Sequence, residues 1–217
     1  MLVYYLLKTC YNFSLFWKFK MSKNYFNLIL RKLIFLFIIF LTFNSVSLAQ
    51  SKSKSPFKEG LVVSAVKSGT MEDLIYSIQV GSSPSELDFD EVPALLLAVD
   101  RGRHDMTLFL LNKGARVDQR DGKKRTALSI AARKNNISII NELINFGAKP
   151  DRYGANKETP LIIASRFGNY EAVSALLEGG AYPDDTDLTG RTALQWAKIK
   201  HFKRIENLLE EYGAYSN

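Results

Sequence analysis

The feature that most limits how this chain can fold is a period of 33 residues. "TALSIAARKNNISIINELINFGA", "TPLIIASRFGNYEAVSALLEGGA" and "TALQWAKIKHFKRIENLLEEYGA", starting at Thr126, Thr159 and Thr192, are respellings of one string. Ala98, Ala131, Ala164 and Ala197 keep that step, as do Gly114, Gly147, Gly180 and Gly213. One period earlier stand Ala65 and Gly81, which makes "LVVSAVKSGTMEDLIYSIQVG" a degenerate first copy. One such unit cannot bury its apolar side alone, so a sustained period of this length builds a stacked array rather than a globule around a single core.

Each copy reads as two helices. Thr159 is placed to cap the first, and Pro160 takes the first helical position, where a missing N–H costs nothing. Leu161 and Ala164 share one face, with Ile163 extending the apolar patch. Gly168 ends that helix, and Val173, Leu176 and Leu177 repeat at helical spacing in the second. Gly180 suits the left-handed residue that closes it. The alanine at the repeating step is small because two helices approach closely there. A polar stretch such as "YPDDTDLTGR" then gives a projecting turn before the next copy.

These strings resemble the ankyrin repeat, with the Thr-Pro-Leu, Ala and Gly-Ala landmarks in step over five copies near residues 59–88, 89–121, 122–154, 155–187 and 188–217. The resemblance implies an all-α, slightly curved solenoid of about five helix–turn–helix repeats, with fingers off one edge. The sequence departs from the pattern at the His after Thr-Pro-Leu, replaced by Leu96, Ser129, Ile162 and Gln195, and at the Thr, replaced by Pro93. Asn135 and His201 stand where Gly168 closes its helix. In the first copy Asp73 and Ser77 occupy usually apolar positions, and the last copy runs on into Glu210 and Glu211, as a polar cap would. Both ends therefore read as caps of a whole array.

The chain opens on a leader. Residues 21–50, "MSKNYFNLILRKLIFLFIIFLTFNSVSLAQ", pair Lys23, Arg31 and Lys32 with the apolar run Leu33–Leu41 and the small-residue end "SVSLAQ", the layout of a secretory signal peptide. Residues 1–49 are read as that peptide, with Met21 a candidate start, and residues 50–58 as a polar linker. A helix over 33–41 spans about 14 Å against a hydrocarbon core of about 30 Å. The competing reading keeps residues 33–51 as an uncleaved anchor. Either way the body lies outside the cytoplasm, periplasmic, secreted or anchored, and the leader's style reads as bacterial. The only cysteine, Cys10, lies in the leader, so the body has neither a disulfide framework nor a thiolate metal site.

The formal charge of +7 is also mostly the leader's, since no Asp or Glu precedes Glu59. From Gln50 onward 23 Lys and Arg face 22 Asp and Glu, a poor case for nucleic acid. No phosphate loop, nucleophile elbow or zinc-protease motif appears. His104 and His201, each placed at the start of a second helix, read as surface residues. Asp184, Asp185 and Asp187 hint at calcium, but their spacing is not that of a calcium loop, and a turn held by Asp is the simpler reading. No catalysis, cofactor or metal is expected.

The resemblance places binding at the finger tips and at the two residues before the end of each first helix. Those positions are Lys67 and Ser68, Asp100 and Arg101, Arg133 and Lys134, Arg166 and Phe167, Ile199 and Lys200, of which six are basic. Pro84–Pro93 is acidic and Arg116–Arg125, with Arg120, Lys123, Lys124 and Arg125, is basic; Arg152 and Tyr153 lie in the next finger. The expectation is a monomeric scaffold whose concave stripe takes the acidic face of another protein, with Phe167 and Ile199 as apolar contacts. The alternatives are a secreted factor acting on a host and a membrane-anchored form.

Overall fold

The computed structural model describes residues 59–215; the expected signal peptide over 1–49, with Met21 as candidate start, and the expected linker over 50–58 lie outside the described residues. Ten α-helices follow in pairs: α1 (Leu61–Ser68) and α2 (Met71–Gln79), α3 (Ala94–Asp100) and α4 (His104–Asn112), α5 (Ala127–Arg133) and α6 (Ile137–Asn145), α7 (Pro160–Phe167) and α8 (Tyr170–Glu178), α9 (Ala193–Ile199) and α10 (Lys203–Glu211). A 3-10 turn at Ala155–Lys157 and an isolated bridge between Leu87 and Pro93 are the other regular pieces among the described residues. Odd-numbered helices pack against one another in chain order, even-numbered helices do the same, and each pair is joined face to face. The fold is the expected all-helical solenoid. Four fingers, residues 80–93, 113–126, 146–159 and 179–192, connect the pairs.

Why the helices start where they do is local chemistry. The hydroxyls of Thr70, Thr126, Thr159 and Thr192 accept the N–H three residues on. Such a cap contributes about 1 kcal/mol. Ser129 and Gln195, two of the residues that replace the usual histidine, accept the N–H of Thr126 and Thr192 in return, closing reciprocal boxes. Leu96 and Ile162, the other two, are simply core. Pro93 offers no side-chain cap, but the Ala94 N–H donates to the Glu86 carbonyl at 2.8 Å. The Glu86 carboxylate meanwhile accepts the N–H of Val62 at 2.8 Å and so caps α1. A Cβ on Gly60 would overlap that carboxylate.

The repeating alanines are the closest points of the stack: Ala98, Ala131, Ala164 and Ala197 are fully buried. Leu161, Val173 and Leu176 are buried as expected. Ile163 is only partly so, because the helix turns Ile162 into the core and leaves Ile163 on the concave side. Gly180 adopts φ 86°, and Gly168, Asn135 and His201 take φ 78°, 54° and 61° at one register position. A left-handed backbone costs a residue with a Cβ about 1–2 kcal/mol, which glycine escapes. His201 belongs to this turn, two residues ahead of α10, rather than to the helix start. In the first copy Asp73 completes the Thr70 capping box and the Ser77 hydroxyl donates to the Leu74 carbonyl at 2.7 Å, so both polar residues are satisfied.

Two sets of side-chain acceptors, all aspartates but Ser85, rigidify the fingers. Ser85, Asp118, Asp151 and Asp184 each accept the backbone N–H of the residue 31 positions on, namely Arg116, Lys149, Tyr182 and Tyr215, at 2.8–3.2 Å. Each copy thus tethers the next. Asp88, Asp121 and Asp187 fold their own turns by accepting the N–H groups two and four residues ahead. The Asp187 carboxylate also accepts the Trp196 indole N–H at 2.8 Å. Asp184 and Asp187 are therefore structural, and among the described residues no cluster of metal-ligating side chains forms. The third finger has Gly154 in place of this aspartate, and there the 3-10 turn replaces the Asp-bound one.

Candidate functional site

The concave side is a groove whose floor comes from one register position. Leu97, Ile130, Ile163 and Trp196, the residues just before the buried alanines, follow one another along it. Its central stretch encloses about 640 Å³ between α5, α7 and the second and third fingers. Lys123, Arg125, Arg133, Lys134 and Arg166 line it against Asp100 and Glu158, leaving three positive charges in excess. The neighbouring stretch toward the N-terminal copies sets Lys67, Arg101, Lys123 and Arg125 against Asp88, Asp90, Asp100 and Asp121, which balance. With Asp121, which bonds Arg125 at 2.7 Å, counted in, the centre keeps an excess of two and the neighbouring stretch none.

Ion pairs within the chain occur in both stretches. Lys67 contacts both Glu59 and Asp88, the latter at 2.9 Å. The hydrogen bond that Lys67 donates to Glu59, partly offset by burial, raises the lysine's pKa. Burial would push the Asp88 carboxyl up, but Lys67 and the N–H groups of Val92 and Asp90 hold it below the ordinary value. Lys134 reaches Asp100 at 3.0 Å with both side chains well exposed, a pair worth at most about 1 kcal/mol. Arg166 lies 3.0 Å from Glu158. Burial raises the Glu158 pKa, Arg166 pulls against it, and Asp187 adds to it, so burial wins over the ion pair.

Cations and rings alternate at the C-terminal side of the groove. The Arg133 guanidinium lies 5.1 Å from the centre of the Phe167 ring, and Arg166 lies 5.3 Å from that ring and 5.6 Å from Trp196. Arg191 covers Trp196 at 5.1 Å. Cation–π contact of this kind fixes a guanidinium in place while leaving its N–H edge able to donate. Phe167 keeps 46% of its surface exposed, which is what an apolar contact residue needs. Ile199 and Lys200, at the end of α9, are exposed outside the central stretch, and Arg101 is exposed toward its balanced neighbour.

Trp196, Arg191 and Glu158 were not legible as site residues from the helix-end stripe. The signal that finds the tryptophan is the period itself: the position before each repeating alanine reads Leu, Ile, Ile, Trp. Glu158 falls in register with Arg125 and Arg191, and an acid there signals the missing aspartate at Gly154. In the fingers, Arg125 bonds Asp121 at 2.7 Å, Arg120 stacks on Tyr153 at 5.2 Å, and Lys123 and Lys124 are exposed. Arg152 is partly buried, with its Nε lacking a hydrogen-bond partner among the described residues. His104 opens α4, in the other helix row, and pairs with Glu142 at 2.7 Å.

Helical pairs stacked at a fixed period, with tethered fingers beside an open groove, define a repeat scaffold of the kind that holds other proteins. The family described as ankyrin repeats (3 copies) matches residues 62–153 and 135–217, and the chain belongs to that family. Ankyrin-repeat stacks are typically interaction scaffolds rather than enzymes. No curated protein matches the chain by sequence similarity.

Proposed function

We propose that the protein is a non-catalytic, monomeric scaffold outside the cytoplasm, holding an acidic segment of another protein in the central groove. The observation that carries this is local charge against its background. Residues 59–217 contain 20 Lys and Arg against 22 Asp and Glu, yet the groove between α5 and α7 carries five cations and two carboxylates. Such a patch steers an acidic partner and fixes its register, while Phe167, Ile163 and Ile130 supply the apolar contact that affinity needs. Export rests on the leader, and it separates the protein from nucleic acid. Lys67, Arg101, Ile199 and Lys200 then flank the contact, and the fingers with Arg120, Lys123, Lys124, Arg125, Arg152 and Tyr153 form its edge.

The test is affinity capture from an envelope fraction with the mature chain, compared with an Arg133→Glu/Lys134→Glu variant. Arg166 is left alone because a carboxylate there would sit beside the buried Glu158 and unfold the site. The variant is expected to lose the captured partner and keep the melting curve. Capture that survives the reversal removes the acidic-segment reading. Fractionation and the mass of the mature chain distinguish envelope, medium and anchored forms.

A further inference from the structure

A second basic site adjoins the groove, sharing Lys123, Gly154 and Ala155 with it, in a cleft of about 700 Å³ between the tips of the second and third fingers, with Leu188 of the fourth also lining it. Arg120, Lys123, Lys124 and Lys157 line it, and no carboxylate does. Lys123, Lys124 and Lys157 make no ion pair within 4 Å among the described residues, and Asp185 lies near enough to Lys157 to interact with it. The Arg120 guanidinium lies over the Tyr153 ring, 5.2 Å from its centre, and its Nε is buried without a hydrogen-bond partner among the described residues. Lys124 and Lys157 occupy the same turn position, with φ 61° and 59°, where the fourth finger has Gly190 at 77°. Glycine takes that backbone without strain, so the two lysines are placed there against local preference.

We propose that this cleft binds an acidic polysaccharide, a chain of sulfate- or phosphate-bearing sugars. Four cations spread over two rigid fingers match spaced anionic groups better than one phosphate. The half-exposed Tyr153 ring offers a face for a sugar, and Arg120, stacked on it, adds a fixed positive charge to the lining. A flat anionic membrane fits less well. The first finger carries the exposed Asp90 and Glu91, with Glu91 at the lysines' own turn position, and would be repelled.

The test uses the full-length protein and a heparin-derived decasaccharide, titrated at physiological salt. A Lys124→Gln/Lys157→Gln variant is expected to bind at least about tenfold more weakly, since each lost charge-assisted hydrogen bond contributes separately. Lys113→Gln, on the end of α4, is expected to bind as the parent does. Tyr153→Ala is expected to weaken binding while Tyr153→Phe retains it. Equal affinity of the parent and the double variant overturns the proposal. So does tighter binding to phosphatidylserine vesicles or to polyglutamate than to the glycan. None of these substitutions lines the central groove, and Lys124 and Tyr153 stand only at the edge of the proposed protein contact, so glycan binding that fails while capture by the Arg133/Lys134 face persists leaves the acidic-segment reading standing.

Discussion

Leu161→Ala and Leu209→Ala make a matched pair of perturbations for the stacked architecture. Both leucines are buried, at 1% and 0% exposed, so surface area alone predicts equal costs. Each carbon lost is worth about 0.8 kcal/mol, so the transfer part of Leu→Ala comes to roughly 2.5 kcal/mol. The cavity left behind raises the total to about 3–4 kcal/mol where neighbours hold the walls in place. Leu161 has such neighbours, since α7 packs between α5 and α9. Leu209 lies in α10, whose neighbours among the described residues are α9 and α8. In a one-dimensional stack the end unit can open without the rest, so the Leu209 variant relaxes locally and should cost about half as much globally. Urea titration followed by circular dichroism gives the two stabilities, and hydrogen exchange with mass spectrometry gives their distribution. Leu161→Ala should lower protection from α5 to α10, and Leu209→Ala only in α9 and α10. Equal losses of stability, with protection falling everywhere in both, would refute the stacked-unit reasoning.

The remaining expectations concern turns and titration. Asp187→Ala leaves the N–H groups of Thr189 and Arg191 and the Trp196 indole without their acceptor; it should cost about 1–3 kcal/mol, seen as a lower denaturation midpoint. His201→Gly relieves a left-handed residue with φ 61° and should raise stability by about 0.5–1 kcal/mol in the same titration. Asp88 and Asp187 have folded pKa values held below the ordinary 3.8, so their stabilisation is present above that pH and is lost as pH falls through the folded values. Glu158 is raised above 4.5, so its proton uptake on mild acidification favours the folded state. Acid unfolding should therefore begin only below about pH 4, and Glu158→Gln should remove the shallow gain above it.

Much of the site was legible once the period had been read. Phe167, Arg133 and Lys134 sit on the concave side because one register position gives one surface position. Lys67 shows where reading the stripe by charge alone stops. It looks like a binding cation in the sequence, and Glu59 and Asp88, eight residues before it and 21 after it, occupy it. Ile163 shows the same limit within a helix: spacing placed it with Leu161, while the actual rotation handed the core to Ile162. The aspartates 31 residues ahead of their partners were visible as a periodic letter, but not as tethers.

What the sequence determined unaided is the unit and its repetition: caps, closing turns and apolar spacing are short-range, and a fixed period forces identical units to stack. What only the tertiary structure decided is which charges remain available. Ion pairing depends on distances between side chains on different copies, and those distances exist only after α3, α5 and α7 have packed together. The third copy, residues 122–154, already carries seven Lys and Arg against two Asp and Glu, and packing sets its cations beside the carboxylates of neighbouring copies, positive at the centre and balanced beside it.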